Sequence, residues 1–221
     1  MKFVRACGAD MPDFSFEKSL NKTGLIVGLD EAGRGPWCGP VVAACVGWQG
    51  LKCPDDLAYE INDSKKLTPA KREILFDKIV STTPIWGIGQ ASAQEIDEIN
   101  ILQASFLAMR RALDEVIKKG YIPMVALIDG NRLPTWDIEK YALIGGDGKS
   151  LSIAAASILA KVTRDRIMTE LARKYPHYGW EKNAGYGTKA HQEGLQKYGI
   201  TPEHRLSYAP IKKIIEKENI S

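Results

Sequence analysis

The stretch LIVGLDEAGRGPWCGPVVAACV, residues 25–46, decides how the rest of the chain is read. Its first five residues, LIVGL, are aliphatic or β-branched and are closed off by turn residues, the pattern of a short buried strand. Two acids, Asp30 and Glu31, follow at once, and then Gly33, Arg34, Gly35 and Pro36. A carboxylate at the end of a buried strand costs several kcal/mol, roughly, unless a metal ion or a hydrogen-bond partner compensates it. An Asp that merely caps the turn is the competing explanation. The second run, PVVAACVGW at 40–48, alternates too little for a half-exposed strand, so a buried strand paired antiparallel to the first is expected. Adjacent residues on a regular strand point to opposite faces, so Asp30 and Glu31 can share a site only if the strand ends between them. Gly33 supplies that break.

Outward from this pair, PAKREILFDKIV at 69–80 has helical spacing behind Thr68 and Pro69, and WGIGQAS reads as another strand. Ser92 with Glu95 forms a capping-box pattern, and an apolar face from Ile101 to Val116 predicts a helix up to Gly120. MVALIDGN at 124–131 is a second buried strand that ends in an acid, Asp129. KYALI at 140–144 is a further strand, and SIAAASILAKVTRDRIMTELARKY is a long helix, small-faced at its start. Short helices and Gly-rich loops close the chain. The expected fold class is α/β: a mixed sheet flanked by helices, with chemistry gathered where strands end.

At 221 residues the chain suits one sizeable core. A hydrophobic content of 44% and a charged content of 26% are ordinary for a globular protein, and no apolar run is long enough to span a bilayer. The first twenty residues lack the apolar core of a signal peptide. Cys7, Cys38, Cys45 and Cys53 show no C-x-x-C spacing, which argues against zinc and favours reduced thiols in the cytoplasm. The net charge of +3 is unevenly placed: from Lys161 onward 12 Lys and Arg face 7 Asp and Glu. An acidic centre followed by a basic end suits a polyanion held beside carboxylates.

Asp30 and Asp129 each end an apolar strand, and Asp147 follows eighteen residues after Asp129. Hydrolysis of a phosphodiester by two divalent ions needs several carboxylates converging on cations, and acids at the ends of neighbouring strands can provide them. A carboxylate pair acting on a sugar, or acids that only shape turns, are the alternatives.

LDEAGRGPWCGPVVAA, NDSKKL, LIDGNR, GGDGKSLSIAAASILAKVTRD, NAGYGT and HRLSYAP occur in the order and spacing of bacterial ribonuclease HII, the type 2 ribonuclease H family, which the chain resembles over residues 24–210. The resemblance implies a ribonuclease H-like fold with a carboxy-terminal helical extension from about residue 175, preceded by an extension over residues 1–23. It implies an endonuclease that cuts RNA in RNA/DNA hybrids and on the 5′ side of a single ribonucleotide in duplex DNA. Asp30, Glu31, Asp129 and Asp147 match the family's metal-binding acids, with Mg²⁺ or Mn²⁺ as cofactor and two ions expected during catalysis. Gly33, Arg34 and Gly35 match the loop whose backbone approaches the 2′-hydroxyl, a role that suits residues without a Cβ. Tyr186 matches the tyrosine that packs on the next deoxyribose. Ser64, Lys65 and Lys66 match a segment near the nucleic acid, where lysines neutralise phosphates. Lys161, Thr163 and Arg164 are expected to face the nucleic-acid backbone, and Asp165 to stand behind the metal ligands. His191 and His204 are conceivable proton shuttles, although a lone His is more often a packing residue.

The chain departs from the family where Gly145 and Ala184 replace usual lysines. The stretch before Gly24 is too short for the substrate-binding domain that ribonuclease HIII carries, which favours HII. A monomer is expected, and the tail KKIIEKENIS shows no clear sliding-clamp motif. Two rivals come from other classes: a nucleic-acid-binding module without catalysis, and a phosphate-binding small-molecule enzyme. The first gains nothing from four acids beside phosphates, and for the second GRGPWCGP lacks the phosphate-loop pattern.

Overall fold

A computed structural model describes residues 11–62 and 67–218. Five strands, β1 (Leu25–Ala32), β2 (Val41–Gly47), β3 (Trp86–Ala91), β4 (Pro123–Asp129) and β5 (Glu139–Leu143), form one sheet in the order β3-β2-β1-β4-β5. The β3-β2-β1 half is antiparallel and the β1-β4-β5 half parallel. The helices are α1 (Ser15–Ser19), α2 (Asp55–Glu60), α3 (Pro69–Thr82), α4 (Ala93–Lys118), α5 (Leu151–Lys174), α6 (Trp180–Asn183), α7 (Lys189–Tyr198) and α8 (Ala209–Glu218). This is the mixed α/β architecture that the patterning predicts; the short α1 and α2 carry too few apolar positions to announce themselves.

β2 is buried on both faces, which explains its unalternating sequence. Val41, Ala43 and Cys45 pack with Val27, Leu29 and the Ala104–Ala108–Ala112 stripe of α4. Ala44 and Val46 face the other way, against the small residues of α5 and the Leu75 and Ile79 face of α3. α5 can lie this close to β1 because residue 28 is glycine: a Cβ there would stand 2.3 Å from the backbone N of Ile153. The Ala-rich start of α5 thus covers the centre of the sheet and brings its N-terminus beside the ends of β1 and β4.

Two smaller attachments complete the molecule. α1 fastens the amino-terminal segment to the start of α5: Ser150 Oγ donates to Glu17 Oε1 at 2.7 Å, and Leu151 N–H to the Asp13 carbonyl at 3.0 Å. At the other end, Tyr178, Trp180, Leu195 and Ile211 form a cluster with Cys38 and Met168, which seats the carboxy-terminal helices on the loop that follows β1.

Candidate active site

Asp30 and Asp129 stand side by side. The β1–β4 ladder ends at the Leu29–Ile128 pair, so each acid is the next residue on its strand. Both belong to the face covered by α5, since the even-numbered Ile26 and Gly28, and the odd-numbered Val125 and Leu127, meet Ile153 and its neighbours. Asp147 reaches the same end from a 3-10 turn, Gly146–Gly148, immediately before α5. Gly145 enters that turn in a left-handed conformation, φ 63°, suited to glycine. Asp129 Oδ1 accepts the Gly146 N–H at 2.7 Å, so one acid anchors the loop that carries the next.

β1 does not end between Asp30 and Glu31, contrary to the sequence expectation. It runs on to Ala32, with Glu31 opposite Ala43 of β2. On the other edge of β1 the ladder with β4 stops at Leu29, so neither acid has a partner on that strand. Glu31 holds Arg34 at 3.1 Å, and its N–H donates to Asp30 Oδ1 at 2.7 Å. Asp30 is only 6% exposed. Burial first, then the charges of Glu31 and Asp129 and, more weakly, Asp147, push its carboxyl well above the usual carboxylate range. The other three predicted acids therefore all act on the Asp30 carboxyl.

Among the described residues no three such side chains already stand as a cage around a single point. Asp30, Glu31 and Asp129 each make a local contact instead. The donors are all carboxylate oxygens, the hard set that suits Mg²⁺ and Mn²⁺. Asp30 and Asp147 are buried, and Glu31 and Asp129 are partly exposed. Two solvent-open concavities, of about 560 and 580 Å³, lie elsewhere and include none of the four acids.

Gly33 follows at φ 98°, with Arg164 packed so closely that a Cβ would stand 1.9 Å from its Nε. Arg34 and Gly35 are exposed, and the half-exposed ring of Tyr186 lies over Gly35, 3.3 Å from where a Cβ would be. The GRG loop and Tyr186 therefore form one surface. Ser64, Lys65 and Lys66 lie outside the described residues.

The structure corrects the expectation for Arg164. Arg164 does not face outward: it is 1% exposed and donates to the carbonyls of Pro40, Cys38 and Ala184. Burial, then the charge of Arg205, lowers its pKa to about 10. His191 and His204 are buried against each other, Nε2 to Nε2 at 3.0 Å, and Trp180 Nε1 donates to His191. Burial, then the neighbouring His191, lowers His204 to about 4, so the pair acts as neutral packing and not as a shuttle at the surface. Asp165 pairs with Lys161 at 2.7 Å and lies 3.7 Å from Arg72. Arg205, which the sequence left without a role, lies under the GRG loop; no local pattern distinguishes a buried arginine from an exposed one.

The ribonuclease HII family model matches residues 27–211. The chain is 51% identical over 209 residues to the ribonuclease HII of Magnetococcus marinus, spanning 92% of this chain and 95% of that one. It is 49% identical over 209 residues to that of Gluconobacter oxydans, spanning 94% and 98%. Among solved structures, the ribonuclease H2 of Pyrococcus horikoshii OT3 matches with a TM-score of 0.72 at 28% identity, over 89% of this chain and 100% of that one. Bst-RNase HIII in complex with Mn²⁺ shares the fold, with a TM-score of 0.66 at 18% identity, over 90% of this chain and 71% of that one. Half-identity along nearly the whole chain, on a sheet whose strand ends collect the acids, makes this protein a member of the ribonuclease HII family and hence a ribonuclease H endonuclease.

Proposed function

We propose that the chain cleaves RNA in RNA/DNA hybrids and cuts on the 5′ side of single ribonucleotides embedded in duplex DNA, with Asp30, Glu31, Asp129 and Asp147 as its metal-binding acids. The observation that carries this reading is geometric: Asp30 and Asp129 follow the last paired residues of adjacent parallel strands, and Asp129 anchors the turn that bears Asp147. A divalent cation offsets the cost of gathering carboxylates in a partly buried place. Bound there, two Mg²⁺ or Mn²⁺ ions supply the charge stabilisation and the activated water that phosphodiester hydrolysis requires.

The chain's own residues do the rest. Asp129 fixes the Asp147 turn through Gly146, and Arg34, held by Glu31, sits where it can meet a phosphate. The exposed backbone of Arg34 and Gly35 offers N–H donors to a ribose 2′-hydroxyl, the one atom that distinguishes RNA from DNA at a site. Tyr186 presents a flat ring beside that backbone, placed to stack on the following sugar. We take the protein to act as a monomer.

The test is incubation with a DNA duplex carrying one ribonucleotide, with Mg²⁺ or Mn²⁺, beside an all-DNA control. The expected product is a cut immediately 5′ of the ribose and none in the control. Asp129→Asn should lower the rate by about 10³-fold, the worth of several kcal/mol of lost metal assistance, while duplex binding persists. Cleavage of the all-DNA duplex, or full activity in Asp129→Asn, would refute the reading.

A further inference from the structure

The carbonyls of Gly33 and Arg34 in the GRG loop turn inward. Arg205 is fully buried and donates from NH2 to Gly33 O at 2.6 Å, from NH1 to Arg34 O at 2.9 Å, and from Nε and NH2 to Gly39 O at 3.0 and 2.9 Å. Tyr208 Oη also donates to Arg34 O and accepts from Arg205. Arg164 takes the carbonyls of Cys38, Pro40 and Ala184, the last from the segment that carries Tyr186. Trp37 N–H donates to Gly185 O at 2.8 Å and completes the link between the two loops.

A trans peptide sets its N–H opposite its C=O, and no cis peptide occurs among the described residues. With the carbonyls of Gly33 and Arg34 turned down to Arg205, the N–H groups of Arg34 and Gly35 point up and away. No described residue accepts from either, and both residues are exposed. Two buried guanidiniums so close together are costly, and neither is paired with a buried carboxylate. A loop needing only closure would be held as well by apolar packing.

We infer that Arg205, seconded by Arg164, is a positioning residue that aims the Arg34 and Gly35 N–H donors outward and locks them to Tyr186, so that these two arginines, which do not touch substrate, set how well the enzyme recognises a ribonucleotide-to-deoxyribonucleotide junction. The inference rests on the proposed role of the GRG loop.

The experiment compares kcat/KM on a duplex with one embedded ribonucleotide with kcat/KM on a continuous RNA/DNA hybrid, for the wild type, Arg205→Lys and Gly35→Ala. Lysine keeps the charge but cannot serve three carbonyls with a planar fork. Arg205→Lys is expected to lose about 10-fold or more on the junction substrate, where a single 2′-hydroxyl and the next deoxyribose must meet the loop and Tyr186 in one register, with a much smaller loss on the hybrid, which offers a 2′-hydroxyl at every RNA residue. A purely structural role would lower both alike, and a junction-to-hybrid ratio unchanged from the wild type overturns the inference. If Gly35→Ala shifts the ratio and Arg205→Lys does not, the inference alone falls; if neither shifts it, the role of the loop falls as well. Should Arg205→Lys fail to fold, Tyr208→Phe, which removes one donor to Arg34 O, is judged by the same ratio.

Discussion

Asp30 is held in the folded protein by a carboxyl that keeps its proton more tightly than the unfolded chain does, because burial and then the charges of Glu31, Asp129 and Asp147 oppose ionisation. In the absence of divalent cations its contribution to stability is fully present below the ordinary carboxylate range and is lost as pH rises through the raised value. Asp30→Asn is therefore expected to melt about 2–4 °C above the wild type at pH 8 in chelator, while cleavage is lost. At pH 4 the two melting points should converge. A scanning-calorimetry series across pH checks both statements, and a variant less stable than the wild type at pH 8 would contradict them. The positions of Asp30 and Asp129 towards the ends of their strands were legible from the chain because each closes an apolar run. The outward role expected of Arg164 was not borne out, because burial of a long cationic side chain depends on carbonyls more than a hundred residues away in sequence, such as that of Cys38.

Among the elements, α4 shows both what pattern reveals and what it hides. The capping box at its start is present: Ser92 Oγ accepts the Glu95 N–H at 3.2 Å, and Glu95 Oε2 the Ser92 N–H at 2.9 Å. Arg111 then grips Glu95 at 2.6 Å and donates to Gln90 O on β3. This lowers the Glu95 pKa to about 2, with the Arg111 hydrogen bond as the largest cause. The associated stability is present above the ordinary carboxylate value and is lost as pH falls towards about 2. Glu95→Ala should cost about 1–2 kcal/mol at neutral pH and much less near pH 2, as read by urea denaturation. The expected continuous helix is interrupted at Asn100, φ 68°, whose Oδ1 caps Leu102 and Gln103 and restarts the turn. The apolar spacing continues across the break, so periodicity alone passes over it. At α5 the decisive residue is on a different element. Gly28→Ala would drive a methyl into the backbone at Ile153, and should cost roughly 3 kcal/mol, the upper end of overpacking, with a fall in activity as the Asp147 turn is displaced.

For the whole molecule, the apolar clusters on the two faces of the sheet are built without the acids. Chelation should therefore abolish cleavage and leave the far-ultraviolet circular dichroism unchanged. Added Mg²⁺ should raise the melting temperature of the wild type and not that of Asp30→Asn. Loss of secondary structure on chelation would contradict this account. The carboxy-terminal helices belong to the same argument: seated on Cys38 and Met168, they deliver Arg205 and Tyr186 to the loop after β1, which β1 alone could not shape. Among the described residues no helix is long and apolar enough to cross a membrane.

The sequence by itself determined the strands, the long helices and the acids at their ends, because these follow from local periodicity and from the cost of a carboxylate beside an apolar run. Only the tertiary structure decided that β1 continues past Asp30 while β4 stops, that Asp129 anchors the Asp147 turn, and that two buried arginines turn the GRG loop's donors outward. Those features depend on partners distant along the chain. A hydrogen bond reaching from Arg205 back to Gly33 leaves no imprint on the residues beside either one.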